Sequence, residues 1–182
     1  TIFWFLILSG SLNLVNLIMI AFHQFTAQLF SIYTVIEFLF LSLFYSCFYG
    51  KKHRNIIYLV VAVFTVLCIV NFLFIQNKIE FNTYTRSTGA IVLIVYSLLF
   101  ILKQNNEEQN WGDNVYNWIN AGILLYLASC LFMFIFSNYL LNAGAHINRI
   151  VWGTHDTILI IEYILFAVGF YKCKTQQIIS TY

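Results

Sequence analysis

Long stretches without a charged side chain constrain this sequence more than any other feature. No Asp, Glu, Lys or Arg occurs in residues 1–36, 55–77, 87–102 or 114–148. A helix needs about 20 mostly apolar residues to cross a hydrocarbon core of about 30 Å. Only 9% of the residues are charged and 61% are hydrophobic, whereas about a quarter are charged in a typical soluble domain. The sequence therefore predicts a protein that folds in a lipid bilayer.

The apolar stretches predict an all-α, polytopic transmembrane helical bundle. Each segment is too long for a barrel strand, and lipid requires every backbone to satisfy its own hydrogen bonds. We expect one bundle over residues 1–172 and a short cytoplasmic tail at 173–182, and a further helix before Thr1 would make seven spans. The six spans predicted within the sequence are 1–22, 28–49, 56–76, 85–103, 115–137 and 149–171.

The positions of Lys and Arg predict which way the bundle faces. Loops on the cytoplasmic side are enriched in these two residue types. The basic residues within 51–54, at 103 and within 172–174 fall on one predicted face, and Lys78, Arg86 and Arg149 fall on the other. This count of six against three favours a cytoplasmic C-terminus.

Ionisable residues inside the predicted spans are the main clue to function. The stretch WGTHDTILIIEYILFAVGF, residues 152–170, contains His155, Asp156 and Glu162, and the second span contains Glu37. An Asp at a helix centre costs about 2.5–3.5 kcal/mol on insertion scales, so such residues usually face protein or water. With a rise of about 1.5 Å per residue, both Glu residues lie near the midplane, and His155 and Asp156 lie in the outer half.

Helical spacing predicts which of these side chains lie on the same helix face. His155 and Glu162 are seven residues apart and lie on one face, whereas Asp156 lies about 100° around, so each member of the His–Asp pair is expected to have its own partner. Asparagines in the spans are alternatively expected to hydrogen-bond between helices, as is common in membranes. The predicted pocket in the outer half is lined by Glu37, His155, Asp156, Glu162, Tyr33 and Asn71.

Motifs of well-known chemistries are missing from the sequence. HEXXH, GXSXG and a phosphate-binding glycine loop do not occur, so no catalytic residue is predicted. The four cysteines have no CxxC spacing, and we predict neither a metal site nor a cofactor. The net charge of +2 is too small to favour nucleic acid as a partner.

Three segments carry a resemblance to other proteins. IYTVIEFLFLSLFY, YNWINAGILLYLASCLFMF and WGTHDTILIIEYILFAVGFYK together resemble a group of uncharacterised bacterial multi-pass proteins, some of which look like the membrane-embedded sensory region of histidine kinases. The resemblance implies a bundle of about seven helices in the bacterial inner membrane and a role in sensing or ligand binding. The matching positions are Tyr33, Glu37, Trp118, Asn120, Tyr126 and His155.

Four functions remain open from the sequence. The first is an integral inner-membrane module that binds or senses a small molecule or lipid and passes the information to a membrane-protein partner. The second is a proton-coupled transporter of small solutes, for which two midplane carboxyls are suitable. An accessory subunit of a membrane complex and an intramembrane lipid hydrolase are the others, and the absence of motifs favours a protein that is not an enzyme.

Overall fold

The predicted all-α fold is confirmed. The computed structural model describes residues 1–22, 27–76, 81–104 and 111–179, and these form helices and turns without a strand. A π-helical turn at Asn71–Ile75 extends the third helix, and a short 3-10 helix at Trp111–Asp113 precedes the fifth. The six α-helices are α1 (Ile2–Ala21), α2 (Ala27–Ser46), α3 (Lys51–Val70), α4 (Thr83–Gln104), α5 (Val115–Leu141) and α6 (Ala145–Ile179).

Among the described residues, α1 to α5 are the helices that are long and apolar enough to cross a membrane. The sixth helix, α6, is not among them, and it is the helix that carries His155, Asp156 and Glu162. Its 35 residues would measure about 53 Å at about 1.5 Å per residue, which exceeds the thickness of a hydrocarbon core. That α6 also crosses the bilayer stays a prediction.

The observed helices are longer than predicted where polar residues continue a helix. α3 begins at Lys51, so most of the predicted loop after the second span is helical. Only a short turn separates α5 from α6, where Gly144 has a φ of +90°, a conformation that favours glycine at a helix end. α6 continues to Ile179, through most of the predicted tail, and the predicted loop residue Lys78 lies outside the described residues.

Close packing of α5 against α6 depends on two glycines. A Cβ atom at Gly122 would lie 3.0 Å from the Phe166 ring and 3.2 Å from the backbone oxygen of Glu162. A Cβ atom at Gly169 would lie 3.2 Å from the backbone oxygen of Val115. Small residues at these positions allow two membrane helices to approach closely. The contact therefore fixes the depth of Glu162 relative to the side chains of α5.

Two lysines near helix ends contact the residues that connect other helices at one end of the bundle. The Lys103 ammonium, at the end of α4, donates a hydrogen bond to the backbone oxygen of Phe48, which follows α2. Lys172 Nζ lies 3.8 Å from Asp113 Oδ1, which precedes α5. We call this end, where α3 also begins at Lys51, the basic end, and the opposite end, where α6 begins, the pocket end. That the basic end faces the cytoplasm stays a prediction.

Candidate functional site

An ion pair between α2 and α4 lies at the centre of the site. Glu37 is 4% exposed, and Arg86, in the first turn of α4, is 9% exposed. Arg86 Nη1 donates to Glu37 Oε2, and Nη2 donates to Oε1 at 3.3 Å. Two parallel bonds between a guanidinium and a carboxylate give both strength and a fixed orientation. The predicted site residue Glu37 is therefore the counter-ion of a buried arginine.

Aromatic rings surround the guanidinium of Arg86. Its carbon Cζ lies 4.4 Å from the centre of the Phe134 ring and 5.2 Å from the centre of the Tyr33 ring. Cations over ring faces are attracted by the negative face of the π-system, and the attraction is stronger away from water. Arg86 Nη2 also donates to Tyr126 Oη at 2.9 Å. These contacts orient the arginine and connect α4 to α5.

A chain of hydrogen bonds leads from Arg86 to the surface. Tyr126 Oη lies 3.1 Å from His155 Nε2, and His155 Nδ1 lies 3.1 Å from Asp156 Oδ1. The His155 side chain is 12% exposed and that of Asp156 is 72% exposed. His155 has the separate partner that was expected, Tyr126, but the expectation that adjacent His155 and Asp156 do not pair is wrong, because the carboxylate reaches the imidazole. Arg86, Tyr126, His155 and Asp156 form one polar chain.

A pocket opens beside this chain, at the pocket end of the bundle. The free space of the pocket is about 660 Å³, which includes the space at its open mouth. Within it, a volume of about 50 Å³ is accessible to the centre of a water molecule. Polar groups line one part and apolar groups the rest, as is typical of small-molecule sites. The lining residues are Leu12, Asn13, Asn16, Leu29, Phe30, Tyr33, Phe81, Asn82, Arg86, Tyr126, Phe134, Ser137, Trp152, His155 and Leu159.

The six predicted site residues lie in different parts of the structure. Tyr33 and His155 line the pocket, and Glu37 lies behind Arg86, whose charge it balances. Asp156 extends the polar chain to the surface of the bundle. Glu162 does not line the pocket, although it shares a helix face with His155, because it is two turns further along α6.

Asn71 belongs to a second pocket rather than to the first. This pocket lies between α2, the end of α3, the π-helical turn and the start of α4, and its free space is about 790 Å³ including the open mouth. Asn71 Nδ2 donates to Gln76 Oε1 at 2.7 Å, and Asn71 Oδ1 has no hydrogen-bond partner among the described residues. Asn82 lines both pockets, and its hydrogen bond to Thr34, at 2.8 Å, crosses the wall between them. Asn71 therefore does not line the pocket that Tyr33 and His155 line, contrary to the prediction of one pocket.

Sequence reasoning missed Arg86, the cation of the site. The sequence places Arg86 with Lys78 and Arg149 on the face opposite the C-terminus, because it lies at the beginning of the fourth predicted span. In the structure it is inside the bundle and paired with Glu37. A charge of opposite sign within reach of a buried carboxyl is the signal that would have found it, since carboxylates in membranes rarely stay unpaired.

Comparisons of the chain with protein-family models, curated proteins and solved structures find no match. The class of protein follows from the fold itself: an all-α helical bundle with several long apolar helices, which is a multi-pass membrane protein. Within that class, the pocket and its polar chain distinguish this chain from a bundle packed only by apolar side chains.

Proposed function

We propose that this chain is a binding or sensory module of the bacterial inner membrane, with its C-terminus in the cytoplasm. Its ligand is a small molecule or lipid that enters the pocket beside Arg86. The observation that carries the proposal is the pocket itself, which places a guanidinium, two phenols and an imidazole at the edge of an aromatic and aliphatic cavity. Such cavities with a small number of polar groups are the usual form of small-molecule sites.

The lining favours an amphipathic ligand with oxygen atoms in its head group. Arg86 supplies only N–H donors, and the amides of Asn13, Asn16 and Asn82 each supply donors and an acceptor oxygen. Oxygen-rich groups such as carboxylates, esters and amides accept from these donors. Phe30, Phe81 and Trp152 form an apolar wall, with ring centres 5.1 to 6.0 Å apart, against which a hydrocarbon or aromatic body can pack.

Filling the pocket tests the proposal. Leu12 lines the pocket from α1, and Leu14, on the same helix, is 60% exposed and does not line it. We expect native mass spectrometry of the wild-type protein, released from lipid nanodiscs, to detect a bound small molecule or lipid. Leu12→Trp should lower its occupancy at least tenfold, because the indole takes its space, and Leu14→Trp should leave it unchanged. Equal occupancy in all three proteins would contradict the proposal.

A proton-coupled transporter is the second candidate. The observation that favours it is the presence of two carboxyls inside the bundle, Glu37 at 4% and Glu162 at 2% exposure. Membrane carboxyls in such positions commonly carry protons. Acidification or alkalinisation of proteoliposomes on addition of solutes, measured with an enclosed pH dye, would favour this candidate. No pH change across a broad panel of solutes would count against it.

A further inference from the structure

The second pocket, beside the π-helical turn, contains a buried hydrogen-bond acceptor that has no donor in the described part of the chain. Asn71 lines this pocket and is 4% exposed, and its Oδ1 atom accepts no hydrogen bond from any residue of the described ranges. Its Nδ2 atom is held by Gln76 Oε1 at 2.7 Å. A buried acceptor without a donor costs free energy, and in a membrane no water replaces the donor. A molecule that binds in this pocket can supply it.

The other polar groups of the second pocket already donate within the protein. Asn82 Nδ2 donates to Thr34 Oγ1 at 2.8 Å, and Thr85 Oγ1 donates to the backbone oxygen of Asn82 at 3.3 Å. The described residues that line the pocket include neither an acidic nor a basic side chain. A neutral group that donates a hydrogen bond, such as a hydroxyl, therefore fits this pocket better than an anion or a cation does.

Apolar side chains form the rest of the second pocket and its mouth. Three of them, Ile32, Ile69 and Leu73, are more than half exposed. They belong to Leu29–Ser46 and Lys51–Ile75, two of the segments that are long and apolar enough to cross a membrane. The mouth of the pocket is therefore expected to open towards lipid. The apolar lining residues are Ile32, Val35, Cys68, Ile69, Phe72 and Leu73.

The length of α3 predicts the depth of Asn71 in the bilayer. α3 begins at Lys51 and has 20 residues, so Asn71 lies about 30 Å from Lys51 along the helix at about 1.5 Å per residue. A hydrocarbon core is also about 30 Å thick, and lysines keep their ammonium groups outside it. Asn71 is therefore expected at the opposite boundary of the core, where the polar ends of lipids lie. It also begins a π-helical turn, a rare feature that frequently occurs at functional sites.

We propose that the second pocket binds a neutral lipid alcohol. The hydroxyl donates a hydrogen bond to Asn71 Oδ1, which can turn towards it because the χ2 torsion of asparagine is broad. The hydrocarbon body packs against the apolar lining from α2 and the end of α3. The hydrogen bond between Asn82 and Thr34 crosses the wall between the two pockets, so this site does not depend on a ligand beside Arg86.

Photolabelling of the full chain in lipid nanodiscs tests the site. The probe is a long-chain alcohol with a diazirine near its hydroxyl, and the reference is the methyl ether of the same alcohol, which cannot donate a hydrogen bond. We expect the alcohol to label residues 69–73 roughly ten times more than the ether does, the factor expected for one buried hydrogen bond. Both should label the exposed Phe132 of α5 equally. Equal labelling of residues 69–73 by the two probes overturns the proposal.

Asn71→Leu tests the acceptor. It removes Oδ1, so labelling of residues 69–73 by the alcohol should fall to the level reached with the ether. Asn142→Leu makes the same change at an exposed residue that lines neither pocket, and it should leave the labelling unchanged. Undiminished labelling in Asn71→Leu, or an equal loss in both variants, overturns the role of Asn71.

Ile32→Trp keeps the test decisive if Asn71→Leu does not fold. Ile32 is half-exposed and lines the second pocket, so the larger indole should block it and reduce labelling by the alcohol to the level of the ether. Ile56→Trp, at a half-exposed residue of α3 that lines neither pocket, should not. Undiminished labelling in Ile32→Trp overturns the proposal, and labelling that Leu12→Trp removes instead assigns the alcohol to the pocket beside Arg86.

Discussion

The two ends of the bundle stabilise their buried polar groups in different ways. At the pocket end, Arg86 and Glu37 are charged, paired and in contact with a cavity. Nearer the basic end, Tyr45 and Asn120 are at most 2% exposed and neutral, and Tyr45 Oη donates to Asn120 Oδ1 at 2.7 Å. Asn120 Nδ2 in turn approaches the backbone oxygen of Ser97 at 3.5 Å.

The packing around the two clusters differs in the same way. Near the basic end, aromatic rings contact one another, as Phe48 does with Phe100 at 4.8 Å and with Tyr116 at 4.9 Å between ring centres. At the pocket end, the aromatic rings line the pocket. Neutral hydrogen bonds therefore join helices near the basic end, and the ion pair lies beside the pocket at the other end.

Removing the arginine of the pocket end should lower the stability of the protein more than the other changes. Arg86→Leu leaves the Glu37 carboxylate in the bundle without its cation, so we expect the free energy of unfolding to fall by about 3–5 kcal/mol. Reversible unfolding in mixed detergent micelles measures this loss. The double variant Glu37→Leu with Arg86→Leu should recover most of it, because no charge is then left unpaired. A double variant as unstable as Arg86→Leu would contradict the assignment of the loss to the ion pair.

Sequence patterns predicted the helices because the bilayer imposes one rule on all of them. Charge-free stretches of sufficient length must be helical in lipid, whatever their partners are. Helix ends were predicted less well, since polar residues such as Lys51 can continue a helix once the chain has left the hydrocarbon. Hydropathy therefore predicted the helices and their order. The observed beginning of α3 and the observed end of α5, however, lie inside the predicted loops.

The site was predicted only in part because its geometry depends on contacts between helices. Helix periodicity placed His155 and Glu162 on one face, but only packing separates them into a pocket residue and a core residue. The pairing of Glu37 with Arg86 joins residues 49 positions apart, which no local pattern reveals. The position of Asn71 was predicted wrongly for the same reason, because the sequence does not reveal the π-helical turn to which it belongs.

Removing one hydroxyl near the basic end should have an intermediate effect. Tyr45→Phe keeps the ring but leaves Asn120 Oδ1 without its 2.7 Å donor. We expect the free energy of unfolding to fall by about 1–2 kcal/mol, the usual cost of a buried acceptor that loses its partner. Tyr58→Phe is the matched control, because Tyr58 is 44% exposed on α3 and should change stability little. Equal losses in both variants would mean that the Tyr45 hydroxyl contributes nothing specific.

Neutralising the exposed end of the polar chain should have the smallest effect. Asp156→Asn keeps an oxygen that can accept from His155 Nδ1, and the Asp156 side chain is 72% exposed. Exposed ion pairs contribute little, so we expect stability to change by less than about 0.5 kcal/mol in the same unfolding assay. A loss as large as that of Arg86→Leu would show that Asp156 supports the buried pair through His155 and Tyr126. The pocket end would then depend on its whole polar chain, and the contrast with the basic end would lie in the length of that chain rather than in a single ion pair.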